Sequence, residues 1–568
     1  MADRNFDFTV RLVRALASLG VAHACVTPGS RSTPLALALA EEPAITDWPH
    51  HDERSSAFFA LGIARATGLP AVAVCTSGTA AAEFHPAVVE ARYGRVPLIV
   101  ITADRPADLL GVGANQTVDQ AHLFGAAAKW SLDLEPPRPG EAAPGFPETL
   151  ATRLVCAARE APAGPAHLNL RFGEPLVPES RSAADASPPP SLALGTTLAA
   201  RETVAGLAEL VSGRRGLLVC GPQDDPALPT AAAACAAAAG WPVLADPLSG
   251  GRAGPHDLSH VIAEGDPLAA AGWLDRATPE VVVRVGALPT SKPLWRWLGE
   301  HPGVPQVLID PAGWRDPTGS ISLMVRADPA ATLAALAAAA PAAAPDGWLD
   351  GWRQAGWVAS QAIDRVLAEA PFPNEPAVAR LLAEALPAGS LLLVASSMPV
   401  RDVDAFLPTR SAPLRVIANR GASGIDGFLS TGLGAAAVAG RPTYLLAGDL
   451  SALHDLTALG TAARLGIPAT IVVLHNDGGG IFHFLPQAEA FPELFERHWG
   501  APHGLDFVRV AAAFGVEGER LESRAGLAAL LRQPPAAPRL LEVRTDRAAN
   551  LRLHRELQRA VAATLAGN

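Results

Sequence analysis

Short apolar runs rich in Val, Leu, Ile and Ala recur along this chain, each followed by a longer helix-compatible stretch. In the first segment Ala22–Thr27, Ala71–Thr76 and Leu98–Thr102 read as strands, with Thr33–Ala40, Arg54–Ala66 and Thr79–Ala91 as helices between them. The pattern returns in Gly216–Cys220, Pro242–Ala245, Val281–Val285 and Gln306–Asp310. It returns again in Ser390–Ala395, Leu414–Ala418, Thr443–Ala447, Thr470–His475 and Arg539–Arg544. A strand apolar on both faces must be covered on both faces, so this alternation predicts doubly wound parallel sheets flanked by helices.

A chain of 568 residues is too long for one core, and domains of roughly 150–200 residues give three. Two joints separate them. Ser180–Ser191 lacks apolar periodicity and carries three consecutive prolines, as an extended linker does. Ala330–Asp346 begins as an Ala-rich helix that Pro341 and Pro345 stop. The resulting spans are 1–185, 195–340 and 350–568, an α/β architecture of three consecutive doubly wound parallel-sheet domains.

Composition narrows the partners. A formal charge of −11 argues against nonspecific nucleic-acid binding. No apolar run reaches the ~18 residues of a membrane span, and Met1–Asn5 lacks the start of a secretory signal. Cys25, Cys75, Cys156, Cys220 and Cys235 are scattered without a CxxC pair. A reduced, cytoplasmic protein is expected.

The chemistry concentrates after two strands. Gly448-Asp449-Leu450-Ser451 follows Thr443–Ala447, and Asn476-Asp477-Gly478-Gly479-Gly480-Ile481-Phe482 follows Thr470–His475. Mg²⁺ takes near-octahedral oxygen ligands, commonly one or two carboxylates plus phosphate oxygens. Asp449 offers the carboxylate, Asn476 an amide oxygen and Gly478 a carbonyl, while the glycines leave room for a diphosphate. Ser451 opens a helix-like run over Leu453–Ala463 whose first amides would face phosphate. Either half alone reads equally as a helix cap or a turn. Their pairing at this spacing suggests a metal-bound diphosphate of the thiamine diphosphate kind. Such a coenzyme needs a carboxyl group near its aminopyrimidine. Glu53, in His50-His51-Asp52-Glu53-Arg54, is the candidate. Asp52 is the alternative, and a helix-dipole role for Glu53 is the plain reading.

The Gly448-Asp449…Asn476 pair resembles the diphosphate motif of thiamine diphosphate enzymes, although Leu450 and Asp477 replace the usual second glycine and second asparagine. Six further motifs resemble one branch of them. These are Thr27-Pro28-Gly29-Ser30-Arg31-Ser32, Asp52-Glu53-Arg54, Thr76-Ser77-Gly78-Thr79, Thr102-Ala103-Asp104-Arg105-Pro106, Gly113-Ala114-Asn115-Gln116 and Asn419–Gly427. That branch is the 2-succinyl-5-enolpyruvyl-6-hydroxy-3-cyclohexene-1-carboxylate synthase family of menaquinone biosynthesis. The likeness runs from about residue 5 to 560, with Ser291-Lys292 the main match in the middle.

The resemblance implies pyrimidine-binding, central and diphosphate-binding domains in that order, in a homodimer or homotetramer whose sites combine two subunits. It implies a transferase that decarboxylates 2-oxoglutarate and adds the remaining unit to isochorismate in a conjugate, Stetter-like addition. Glu53 and Gln116 would be catalytic. Asp449, Asn476 and Gly478 would hold Mg²⁺ or Mn²⁺. Ser77, Gly78, Thr79, Ser423, Ile425, Gly448, Leu450, Ser451, Gly479, Ile481 and Phe482 would border thiamine diphosphate, Ile425 propping it in a bent form. Ser397, Arg401 and Arg420 would take 2-oxoglutarate. Ser30, Arg31, Arg105, Asn115, Gln116 and Lys292 would meet isochorismate. Dicarboxylate substrates suit arginine, whose planar fork stays charged and binds carboxylate through two bonds. Ser396 and Gly480 depart from the branch, which often has an amide side chain at both positions. An acetolactate-type synthase or another 2-oxo-acid decarboxylase would share the coenzyme, and a noncatalytic coenzyme-binding protein would not need Glu53.

Overall fold

In the computed structural model, which describes residues 4–137, 141–180 and 187–567, the apolar runs form three sheets. The first contains β1 (His23–Val26), β2 (Thr46–Pro49), β3 (Ala71–Cys75), β4 (Leu98–Asp104), β5 (Trp130–Leu134) and β6 (Pro165–Arg171). The second contains β7 (Gly216–Cys220), β8 (Val243–Ala245), β9 (Val281–Val285), β10 (Gln306–Ile309) and β11 (Leu323–Val325). The third contains β12 (Ser390–Val394), β13 (Leu414–Ile417), β14 (Thr443–Gly448), β15 (Thr470–His475), β16 (Glu517–Arg520) and β17 (Arg539–Arg544). Every pairing between these strands is parallel.

The first sheet has the order β2-β1-β3-β4-β6-β5, and the third repeats it as β13-β12-β14-β15-β17-β16. The second, β11-β10-β9-β7-β8, shares the same arrangement in its first four strands. In each sheet the winding reverses beside the first strand: between β1 and β3, β7 and β9, and β12 and β14. Such a reversal opens a crevice at the carboxyl ends of the strands, where ligands bind in open α/β sheets.

The expected strands are all present. Five strands were not foreseen: β2, β5, β6, β11 and β16. β2 (Thr-Asp-Trp-Pro) and β16 (Glu-Gly-Glu-Arg) are short and polar, so pairing rather than apolar pattern defines them. The expected helix Thr79–Ala91 is two helices, Thr79–Glu83 and His85–Gly94, because Pro86 has no N–H to donate within a continuing turn. The Ala-rich helix Pro329–Ala338 ends before Pro341 as expected. Of the expected linker, residues 181–186 lie outside the described residues, and 187–200 form no helix or strand.

The chain packs as two units. The first takes in Met1–Gly195, Asn419–Gly440 and Leu453–Ile467, and holds the first sheet; the second takes in Thr196–Ala418, Arg441–Ala452 and Pro468–Asn568, and holds the other two. In the second unit one apolar cluster runs through Trp241, Val283, Trp352, Tyr444 and Leu541. Arg252, buried there, donates to Asp404 Oδ1 at 2.9 Å and to the carbonyls of Asp404 and Leu407 at 2.7 and 3.1 Å.

In the first unit helix Glu53–Thr67 lies against helix Phe428–Ala439 with almost no side chain between them. A Cβ at Gly62 would stand 1.9 Å from the Thr431 carbonyl oxygen, and one at Gly434 2.0 Å from that of Phe59. Gly62→Ala is therefore expected to lower the denaturant midpoint by about 1–3 kcal/mol of stability, as overpacking does. An unchanged midpoint would show that the helices can separate at no cost.

Asp455 is buried near this contact. Its carboxylate accepts the Ser430 N–H at 2.6 Å, the Ser430 hydroxyl at 2.9 Å and the Ser55 hydroxyl at 3.2 Å. Burial nevertheless pushes the carboxyl up from 3.8 to about 6. The folded state thus keeps a proton that the unfolded chain releases, a contribution fully present below about 4 and lost as pH rises through about 6. In urea titrations the stability of the wild type relative to Asp455→Asn is expected to fall between pH 4 and 7 and then level off. Parallel pH profiles would contradict this.

Candidate active site

In the second unit β14 ends at Gly448 and delivers Asp449 into a buried position beside the end of β15. Asp449 Oδ1 accepts its neighbour Leu450 N–H at 2.6 Å. Its Oδ2 accepts the N–H groups of Asn476 at 3.0 Å and Gly478 at 2.9 Å. One carboxylate therefore fastens the loop after β15 to the end of β14. The loop needs its glycines: Gly478 has φ +133°, and a Cβ there would lie 1.9 Å from the Gly500 carbonyl oxygen. Asn476 Nδ2 donates to Glu375 Oε1 at 2.9 Å, whereas Asn476 Oδ1 is buried without a hydrogen-bond partner. A buried amide oxygen without a partner beside a buried carboxylate is a donor set that suits a divalent cation. The residues present fit the expected metal.

Two histidines also converge here, which the sequence reading missed. Ligand atoms of Asp449, His475 and His503 lie within 4.8 Å of one another. His475 Nδ1 is engaged by Glu542 Oε1 at 2.6 Å, and His503 Nε2 stands 3.4 Å from Asp449 Oδ2. That oxygen already accepts two backbone N–H groups, and His503 Nε2 lies beside it without a hydrogen bond to it.

The helix expected over Leu453–Ala463 is instead a short helix, Asp449–Leu453, and a separate helix, Thr457–Leu465. Ser451 is buried in the short helix. Ile481 and Phe482 lie half-buried in the 3-10 turn Gly480–Phe484, after Gly479, whose N–H donates to the Gly500 carbonyl at 2.7 Å. Ser397 follows β12 with φ 75° and immediately precedes helix Met398–Phe406, and Arg401, one turn on, donates to the Ser397 carbonyl. Lys292 is exposed at the start of helix Lys292–Glu300. The preceding Ser291 caps that helix and donates to Asp266 Oδ1 at 2.7 Å.

In the first unit the motif residues gather at the carboxyl ends of β1, β3 and β4. Pro28-Gly29-Ser30 runs so close to β3 that a Cβ at Gly29 would meet Thr76 Cβ at 2.2 Å. Ser77 and Gly78 are buried, Thr79 is exposed, and Arg105 donates to the Ser77 hydroxyl and, at 2.7 Å, to the Gln116 carbonyl. Burial and the neighbouring Arg31 guanidinium both pull Arg105 below its ordinary pKa. Arg31 donates to the Phe172 carbonyl at 2.9 Å and pairs with Glu174 at 3.1 Å. Two arginines held this close suit an anion. Asn115 and Gln116 are exposed, Gln116 with φ 52°.

Glu53 is the first residue of its helix and half-buried. Asp52, the alternative carboxylate, is already engaged: its Oδ1 accepts Ser55 N–H at 3.0 Å and its Oδ2 the Thr457 hydroxyl at 2.9 Å. Glu53 lies near the end of β3, where its charge adds to burial in pushing the Cys75 thiol up. Arg420, Ser423 and Ile425 stand on the loop after β13. Glu90, buried on helix His85–Gly94, grips that loop through the N–H groups of Gly421 and Ala422 at 2.8 and 2.7 Å. Ser423 has φ 60°.

The sequence reading also missed Gln120. Fully buried, it accepts Gly78 N–H at 2.8 Å and donates to the Ala103 carbonyl at 3.1 Å and Asn169 Oδ1 at 3.0 Å. It thereby ties the turn after β3 to the end of β4. A lone glutamine carries no sequence signal for such a role.

Two family models match the chain: the thiamine pyrophosphate enzyme N-terminal TPP binding domain over residues 7–123, and its C-terminal TPP binding domain over 401–543. Fold and loops together define a thiamine diphosphate-dependent enzyme. Relatives are similar from end to end. The 2-succinyl-5-enolpyruvyl-6-hydroxy-3-cyclohexene-1-carboxylate synthase of Geobacillus kaustophilus (strain HTA426) is 44% identical, the match covering 100% of this chain and 99% of the relative. Synthases of the same name from Chloroflexus aurantiacus (44%; 98% of this chain, 96% of the relative) and Halobacterium salinarum (41%; 98% of each) are also similar. The chain belongs to the 2-succinyl-5-enolpyruvyl-6-hydroxy-3-cyclohexene-1-carboxylate synthase family.

Gln120→Leu is expected to strand the Gly78 N–H and cost about 1–3 kcal/mol, the usual penalty of a buried donor without a partner. Coenzyme affinity, read by calorimetry, is expected to fall with it. Wild-type stability and affinity would contradict the tie.

Proposed function

We propose that this chain carries out the thiamine diphosphate-dependent decarboxylation of 2-oxoglutarate and the conjugate addition of the remaining four-carbon unit to isochorismate. The products are 2-succinyl-5-enolpyruvyl-6-hydroxy-3-cyclohexene-1-carboxylate and CO₂, in menaquinone biosynthesis. The end-to-end likeness to synthases of that name carries the proposal. The coenzyme, when bound, supplies a carbon nucleophile and an electron sink.

The protein supplies position, charge and one proton. Asp449 carboxylate, Asn476 amide oxygen and Gly478 carbonyl hold Mg²⁺ or Mn²⁺, with Gly448, Leu450, Ser451 and Gly479 beside the diphosphate. Ser77, Gly78, Thr79, Ser423, Ile425, Ile481 and Phe482 hold the rings. Glu53 places its carboxyl beside the aminopyrimidine nitrogen and exchanges a proton with it. Ser397, Arg401 and Arg420 orient 2-oxoglutarate. Ser30, Arg31, Arg105, Asn115 and Lys292 orient isochorismate, and Gln116 meets the reacting atoms. Fixed guanidinium groups bind both dicarboxylates without changing protonation. The domains are pyrimidine-binding (1–185), central (195–340) and diphosphate-binding (350–568). The protein works as a homodimer or homotetramer in the cytoplasm; no helix among the described residues is long and apolar enough to cross a membrane.

Purified protein with thiamine diphosphate and Mg²⁺ is expected to form the adduct from 2-oxoglutarate and isochorismate and to leave pyruvate untouched. Glu53→Gln is expected to keep coenzyme affinity and lose about 10²–10⁴-fold in turnover, the range for a missing acid–base group. CO₂ released from pyruvate, or full turnover in Glu53→Gln, would contradict the proposal.

A further inference from the structure

Glu375 is the first residue of helix Glu375–Ala385 and is almost completely buried. Its Oε1 accepts Asn476 Nδ2 and the Thr545 hydroxyl, each at 2.9 Å, and its Oε2 accepts Asn550 Nδ2 at 3.0 Å. Thr545 follows β17 and Asn550 lies in the C-terminal helix Arg547–Ala566. Three donors from three elements thus hold one carboxylate still.

A carboxylate offers only acceptors, so the amide nitrogen of Asn476 has to face Glu375 and its Oδ1 has to face the other way. That oxygen is buried and lacks a hydrogen-bond partner among the described residues. Residue 480 offers no competing hold: it is glycine, and a Cβ there would already lie 2.6 Å from Asn476 Nδ2. We propose that Glu375 is a positioning residue that locks the Asn476 amide so that its oxygen is presented to the divalent cation. The inference rests on the reading of Asn476 as a cation ligand. Partners of this kind orient metal ligands, and their loss typically costs about 10–100-fold in metal affinity.

The test is Mn²⁺ affinity of the full-length protein with thiamine diphosphate, read by electron paramagnetic resonance, with thermal melting to check the fold. Glu375→Ala is expected to weaken Mn²⁺ by about 10–100-fold, and Asn476→Ala comparably. Glu375→Ala added to Asn476→Ala is expected to cost nothing more. Glu375→Gln is expected to bind Mn²⁺ close to wild type. Its amide oxygen still accepts from Asn476, and its nitrogen can donate to Asn550 Oδ1, which has no partner among the described residues. Wild-type affinity in Glu375→Ala alongside a loss in Asn476→Ala would overturn the positioning role. So would Glu375→Gln failing as badly as Glu375→Ala. Wild-type affinity in Asn476→Ala would instead sink the ligand reading and the inference with it. Should Glu375→Ala not fold, the exchange of partners decides. Asn476→Asp alone, carboxylate against carboxylate, is expected to weaken Mn²⁺, and Asn476→Asp with Glu375→Gln to recover it. Tighter binding by Asn476→Asp alone would overturn the proposal.

Discussion

The carboxylate of Asp449 holds the diphosphate side of this protein together. It is buried at the end of β14 and accepts the amides of Leu450, Asn476 and Gly478. Those bonds set how the loop after β15 leaves its strand. The same loop carries the amide, the carbonyl and the glycines on which a cation and a diphosphate depend. Remove the carboxylate and two buried amides, those of Asn476 and Gly478, lose their acceptor together. At Asn476 the amide nitrogen faces the Glu375 carboxylate and the buried oxygen faces the other way.

Around that joint the fold repeats one solution. The first and third sheets share a strand order, and each places its chemistry where the winding reverses. Beside β1 and β3 stand Ser30, Arg31 and Ser77; beside β12 and β14 stand Ser397 and Asp449. Several loops at the carboxyl ends of the strands also carry unusual backbone, as do Arg95, Ala340 and Ala501 elsewhere. Gln116, Ser397, Ser423 and Asp477 all have positive φ, between 52° and 75°, although none is glycine. Such conformations persist where surroundings over-determine them, as they do at binding sites.

How much of this could be read from residues alone depended on the kind of signal. Strands apolar on both faces announced themselves, so the alternating architecture and the loops after β1, β3, β4, β14 and β15 were in view from the start. β2 and β16 were hidden because pairing, not pattern, makes them strands. The helix after Asp449 was drawn as one piece, yet the chain breaks at residues 454–456, where Asp455 turns inward to Ser430 and Ser55. Hidden most completely were the residues that hold other residues. Gln120, Glu90 and Glu375 are isolated polar side chains in sequence, and only folding brings each to the backbone or side chain it fixes.

The nature of the cation shell is the most direct measure of whether Asp449 and Asn476 do what their geometry indicates. Crystals grown with thiamine diphosphate and Mn²⁺, with anomalous difference density collected for the metal, would locate the ion and its donors. An all-oxygen shell containing the Asp449 carboxylate, Asn476 Oδ1 and the Gly478 carbonyl is expected. Mn²⁺ seated instead on the ring nitrogens of His475 or His503, with Asn476 turned away, would contradict the account at its root.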